Sequence, residues 1–546
     1  MSKKVFFNQD ARVKLQKGIN IAGDATGSTL GAQGKSVIIS SGYGHMPTAT
    51  KDGVTVIKSI FLEDEVENTG VMLVRGAAEK TLDLCGDGTT TSVVLAQSIL
   101  NDGLLELHGG NGFFGRLYRK LFGHKKCNIQ EVKSGIDKAV LSVTETLKSM
   151  AVPVVTNATI KSVATVSANN DVEIGRLIAD AYDKIGLNGL LTIEDSKTID
   201  THITVLEGAE MPRGYASDQF CTDYEKMLAV YENPMILVLD YEVKRMKELE
   251  PIMKKIAAST EEFTRPWIII ARGFDGEVHN TFIVNKNRNK VPVCLICAPV
   301  SYQKEALRDV ACLTGATVVC DEKGKKIEHA TPEFMGTCAK IVVSKTSTMI
   351  IGGDTDIIER EQIIKEVNLE IKETDNAQVK EVLEKRLARL TGSIGVMHVG
   401  GVTDVERKER KDRVDDAVRA VRSAIEEGIV VGGGVSLIRC IDELDNISVH
   451  GDESIGVDLI RKACMAPLKK MLDNAGLDDD LAYEVLNYST SENYGYNVKI
   501  KAFGDLFEQG IIDPVKVVRC AMQNAASVAS QVLTGDVLLV EMRPAG

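Results

Sequence analysis

Strand-like runs cluster in the middle of this chain, and that placement restricts its possible folds more than any other feature. Between about residues 207 and 394, apolar runs recur at 235–239, 267–271, 291–296, 316–319 and 340–344, with helical segments between several of them. Strands alternating with helices indicate an α/β domain. The flanks read as helix, at 136–147 and 172–185 on one side and 413–427 on the other, before a strand-like end at 537–542. The first and last portions share a texture, so the middle reads as an insertion into a domain built from both chain ends. The 546 residues call for several domains in any case, since one core rarely exceeds ~250–300 residues. Late in the middle portion, residues 357–371 and 378–390 form two amphipathic segments; Val379, Val382, Leu383, Leu387 and Leu390 recur at helical spacing. We read them as a helical hairpin packed on its own domain.

Trp occurs once and aromatics make up 5%, so the cores are expected to consist of Val, Ile, Leu and Ala. A net charge of -12 argues against a general nucleic-acid binder, which needs a basic face to neutralise phosphates. No apolar run reaches the ~18 residues of a membrane helix. Asn8, Gln9 and Asp10 cut off the apolar stretch that a secretory signal needs after the basic start. The 11 cysteines are scattered. Cys294 and Cys297 have CxxC spacing but sit in an apolar run, with no second pair to complete a zinc site. Reduced core thiols are expected, and with them a cytoplasmic or other reducing compartment.

The sharpest local signal is Gly86-Asp87-Gly88-Thr89-Thr90-Thr91, followed by a helix-like run from Ser92. Gly86 and Gly88 let backbone approach a phosphate closely. A helix start there aims free N–H groups and a positive dipole end at an anion. Asp87 would repel a bare phosphate, so it implies a bridging divalent cation, and oxygen ligation suits magnesium. Thr29-Leu30-Gly31-Ala32-Gln33-Gly34-Lys35 is a second glycine-rich loop, and Thr50-Lys51-Asp52-Gly53 pairs a cation with a carboxylate. The Walker A pattern is absent.

These loops, in this order, resemble a group I chaperonin, as does most of the chain from about Phe7 to Pro544. Matching strings include Asn8-Gln9-Asp10-Ala11-Arg12-Val13, Leu62-Glu63-Asp64, Gly135-Ile136-Asp137-Lys138-Ala139-Val140 and Arg213-Gly214-Tyr215. The run from Ser423 through Gly432-Gly433-Gly434 and the strings Asn493-Tyr494-Gly495-Tyr496-Asn497 and Gly510-Ile511-Ile512-Asp513-Pro514 add to them. The resemblance implies a multi-domain α and α/β fold. A mostly helical equatorial ATPase domain would combine 1–149 with 427–546. A small intermediate domain would combine 150–206 with 395–426, and an α/β apical domain would occupy 207–394. It further implies a homo-oligomeric ring, usually of seven subunits, that holds non-native protein clients, with a co-chaperonin lid as a further candidate partner. Neither membrane nor nucleic acid is an expected partner.

By the same resemblance, ATP phosphates would lie against Thr29, Leu30, Gly31, Ala32, Lys51, Asp87, Gly88, Thr89, Thr90 and Thr91, with Ala32 in place of the family's proline. Asp87 would ligate Mg2+, and K+ is a further candidate ion. Gly433, Asn497, Val498, Lys499 and Asp513 would surround the nucleoside, although Val498 and Lys499 replace small apolar residues. Asp416 would position the attacking water with Asp52 assisting, and their separate domains would have to close for hydrolysis. Clients would meet exposed apolar side chains at Tyr215, Phe220, Met253, Ile283 and Val284. Gln219, Glu250 and His279 depart from the family's aromatic and leucine choices there. Hinges are expected at Pro153 with Gly428, and at Gly208 with Gly392-Ser393, where Ser393 replaces a glycine.

The largest departure is a basic, aromatic insertion at residues 108–126, placed by family position near the ring-to-ring face. Opposite it the usual contact matches an acidic run, Leu477-Asp478-Asp479-Asp480-Leu481. The insertion reads as a surface loop, as a partner for that run or as a block to ring stacking, with a membrane or nucleic-acid contact the least expected. The Gly- and Met-rich family tail is not matched by Met542 to Gly546, so the contacts it supplies are not expected. Two other function classes compete: a metabolic phosphoryl-transfer enzyme, and a ring scaffold using ATP only to assemble.

Overall fold

A computed structural model describes residues 3–40, 47–108, 127–154, 156–168, 171–187, 189–196, 198–224, 226–257, 265–288, 292–299, 303–320, 327, 330–374, 376–391, 393–487 and 491–541. The insertion at 109–126, Gly392 and the last residues from 542 lie outside them. Two compact units emerge, one from residues 1–179 with 408–546 and the other from 180–407. The middle of the chain is thus an insertion into a unit built from both ends.

The two-ended unit is helical. Its long helices Asn8–Gly27, Glu65–Cys85, Thr89–His108, Ile129–Ser149, Glu453–Asn474 and Val515–Thr534 surround one core. Val, Ile, Leu and Ala dominate that core, including Ile19, Val74, Leu95, Ile136, Leu468 and Ala525. Such aliphatic stripes stabilise the helices mainly through tertiary burial. Side-chain caps set the starts: Asp64 accepts from the N–H groups of Val66 and Glu67, and Asn128 from that of Gln130. The chain ends meet in an antiparallel pair, Lys3–Phe7 against Val537–Glu541.

The inserted unit is built on a nine-stranded sheet. Its order runs Leu190–Asp195, Ser393–Val399, His202–Met211, Thr348–Gly353, Gly336–Val343, Met235–Val243, Trp267–Phe274, Val293–Cys297, with Ala229–Glu232 also on Gly336–Val343. The last three strands of that order are parallel to one another, with helices in the connections. Their buried runs, such as Ile268–Ile269–Ile270, are the ones legible as strands. Residues 316–319 form no strand among the described residues; Val319 makes a single bridge to Leu239. The hairpin helices Ile357–Glu373 and Ala377–Thr391 bury Ile363, Val367 and Leu390 with Cys312. Arg386 clamps Asp309 through both carboxylate oxygens at 2.7 and 2.9 Å, so the hairpin packs on its own unit.

All 11 cysteines are free thiols, nine of them buried. No helix of the described residues is long and apolar enough to cross a membrane.

Candidate nucleotide site

A cleft of about 1280 Å³ opens in the two-ended unit, and the glycine-rich loops form its walls. The Glu65–Cys85 helix stops at Gly86, whose φ of 74° is left-handed and whose N–H bonds back to the Leu82 carbonyl. A Cβ at Gly86 would lie 2.1 Å from Cβ of Arg419, so only glycine admits the Asp404–Glu427 helix this close. Gly88 is also left-handed, at 82°, and the Thr89–His108 helix begins directly after it. Its first N–H groups therefore border the cleft, as an anion site requires.

Three further segments close around this helix start. Thr29 to Ala32 follow the Asn8–Gly27 helix, and Asn474 Nδ2 anchors that loop by donating to the carbonyls of Gly27 and Leu30, each at 2.9 Å. Asp52 caps the Gly53–Ser59 helix: its carboxylate accepts from Val54 N, Thr55 N and Thr55 Oγ1. Gly53 packs so tightly on Thr90 that a Cβ would stand 2.0 Å from its hydroxyl. On the far wall, the turn after strand Tyr494–Asn497 is held by Asn497, whose Oδ1 accepts from Lys499 N and whose Nδ2 donates to Gln509. Strand Ile512–Pro514 pairs with Ile429–Val431, placing Asp513 beside Gly433.

The electrostatics are dominated by carboxylates. Asp87 is half-buried, and desolvation, with a smaller contribution from Asp52, pushes its pKa up despite hydrogen bonds from Gly88 N and Ser167 Oγ. Burial, then Asp87, Asp52 and Asp415, push Asp416 up to about 8. Burial and Asp87 push Asp513 up to about 7. A concentrated negative charge of this kind invites a cation. Among the described residues no three His, Cys, Asp or Glu side chains converge to hold a metal by themselves. That donor set fits magnesium, which is commonly held by one or two carboxylates together with substrate phosphates.

Every nucleotide-site residue expected from the sequence, from Thr29 through Asp513, lines this one cleft. Asp52 and Asp416 stand in it as well, the latter in the same compact unit as the loops. Sequence reading did not single out Ser167, Lys161, Arg413 or Arg419, which also line it. No motif announces them; they arrive on helices whose other faces are packed.

The expected client residues separate. Phe220 is 0% exposed, edge-on to the His279 ring, and Ile283 is 8% exposed. Both belong to the core of the inserted unit, which corrects the expectation that they are exposed. Val284 is exposed, whereas Tyr215 and Met253 are half-buried. Glu250 is exposed and ion-paired to Lys254 at 2.6 Å.

The family model for the TCP-1/cpn60 chaperonin family matches residues 23–543. The chain belongs to that family. Among solved structures, this chaperonin resembles the chaperonin gp146 from bacteriophage EL of Pseudomonas aeruginosa, crystallised in the presence of ATP-BeFx. One crystal form gives a TM-score of 0.74 at 21% identity, covering 99% of both chains. A second crystal form gives 0.65 at the same identity and coverage. The chaperonin fold, part helical and part α/β, therefore extends over the whole chain.

Proposed function

We propose that this chaperonin is an ATPase that forms a ring, captures non-native proteins on its inserted unit and assists their folding in the ring cavity. The observation that carries the reading is the convergence of Asp52, Asp87 and Asp416 on a helix start flanked by glycine-rich loops. The relative crystallised with ATP-BeFx supports a nucleotide in this cleft. The N–H groups after Gly88 and the hydroxyls of Thr89, Thr90 and Thr91 bind phosphate oxygens, and Lys51 adds a cation at the cleft wall. A magnesium ion at Asp87 supplies charge neutralisation to the triphosphate when bound. Asp416 orients the attacking water and takes its proton on a carboxylate oxygen. Burial keeps the proton affinity of that carboxylate near neutral pH, where a general base works best. Asp52, committed to its helix cap, assists through its charge. Gly433 and the turn at Asn497, Val498 and Lys499 border the nucleoside.

The division into equatorial (1–149, 427–546), intermediate (150–206, 395–426) and apical (207–394) domains belongs to this proposal. So do the seven-membered ring, a co-chaperonin lid and a reducing, cytoplasm-like compartment; free thiols support the last. The test is ATP-dependent refolding of an aggregation-prone protein, with phosphate release measured in parallel. Wild type should do both. Refolding independent of ATP, or hydrolysis that needs a small acceptor molecule, would replace this reading.

A further inference from the structure

Asp87 sits in a loop between two glycines. Its neighbours Gly86 and Gly88 both adopt left-handed φ angles, and glycine leaves the backbone torsionally permissive. Two donors restrain the carboxylate. Gly88 N–H, from the loop itself, donates to Oδ1. Ser167 Oγ–H, from 80 residues along the chain, donates to Oδ2 at 2.9 Å.

Ser167 is the last residue of the helix Asn157–Ser167, which Thr156 caps. Ala158, Lys161, Ser162 and Thr165 form the face of that helix lining the cleft, at the three- and four-residue spacing of one side. The hydroxyl therefore approaches Asp87 from a packed element and not from a loop.

A carboxylate offers about four lone-pair sites. Gly88 and Ser167 engage one on each oxygen, which leaves the others for a cation. The chemistry of the donor matters too. Arg or Lys at position 167 would orient Asp87 equally well but would cancel the charge a metal needs. A serine hydroxyl orients the carboxylate and leaves its charge in place.

We infer that Ser167 is a positioning residue for Asp87, fixing its carboxylate in advance for the divalent ion that accompanies the nucleotide. The inference rests on the ATPase reading of this cleft. It also makes nucleotide-linked metal binding depend on where the 157–167 helix lies.

The test is calorimetric binding of a non-hydrolysable ATP analogue to the full-length protein, once with Mg2+ and once with EDTA. Wild type, Ser167→Ala and Ser167→Thr are compared. In wild type, Mg2+ should tighten analogue binding. Ser167→Ala should lose about tenfold of that gain, as expected for a hydrogen bond to a charged group, while binding in EDTA is unchanged. Ser167→Thr, which keeps the hydroxyl, should restore the gain. An unchanged Mg2+ gain in Ser167→Ala overturns the inference, as does an equal loss with and without Mg2+. Failure of wild type to bind the analogue in either buffer overturns the ATPase reading itself.

Discussion

Asp87, Asp416 and Asp513 are half-buried in one cleft, and their shared charge has a thermodynamic signature. Asp416 has a folded pKa of about 8 against an ordinary 3.8. Its neutral form is favoured in the folded state, so folded stability is fullest below about pH 4 and is lost as pH rises through 8. Asp416→Asn removes this penalty. The nucleotide-free variant should melt above wild type at pH 8, and the difference should vanish near pH 4 in thermal denaturation. Its ATP turnover should fall by about 10²–10⁴-fold with nucleotide binding retained. The loop at Gly86 to Thr91 stood out in the residues, because glycines before a helix start suit an anion. Alone it reads as readily as a turn, and its order with the other loops carried the nucleotide reading. Asp416 was legible only through the family resemblance, since Asp415-Asp416 in a charged helix has no pattern of its own. Ser167 was not legible, because one serine at a helix end looks like many others. Phe220 and Ile283 were misjudged because polarity says little about which apolar side chains a sheet covers.

Two helix junctions report on element-level stability. Glu453, at the start of Glu453–Asn474, accepts from Lys138 Nζ and Ser134 Oγ at 2.7 Å each and from His450 N at 2.9 Å. Lys138 above all holds its pKa at about 2, below the ordinary 4.5. A depressed carboxylate stabilises the fold above its unfolded pKa, and that contribution is lost as pH falls from 4.5 toward 2. Glu453→Gln should therefore lower stability near pH 7 and flatten the acid limb of a stability-versus-pH curve. In the inserted unit, Arg386 opposes the burial that raises the pKa of Asp309. Arg386→Ala leaves that carboxylate uncompensated and should cost about 3 kcal/mol in denaturant unfolding, with faster hydrogen exchange across 357–391. Long helices and fully buried parallel strands were readable because their apolar periodicity or continuity is strong. Strands such as His202–Met211 and Ser393–Val399 were not, because Glu207, Gly208, Gly395 and His398 interrupt the apolar run and neighbouring strands supply the stability.

For the whole molecule, the insertion of one unit into another was visible in the change of texture near residues 207 and 394, and the compact units bear it out, with boundaries at 180 and 407. With Phe220 and Ile283 committed to the core, the proposed client capture would fall to Val284, Met253 and Tyr215. The double variant Met253→Glu with Val284→Glu should bind an unfolded client several-fold more weakly in a pull-down while keeping its ATPase rate. Unchanged capture would move the client surface elsewhere. The central claim is that residues remote in sequence meet around one magnesium-bound triphosphate. A cryo-electron microscopy map of the particle loaded with Mg2+ and a non-hydrolysable ATP analogue tests it most directly. The account expects the metal on Asp87 and the terminal phosphate facing Asp416. A triphosphate bound outside this cleft, or an Asp416 carboxylate turned away from it, would contradict the account.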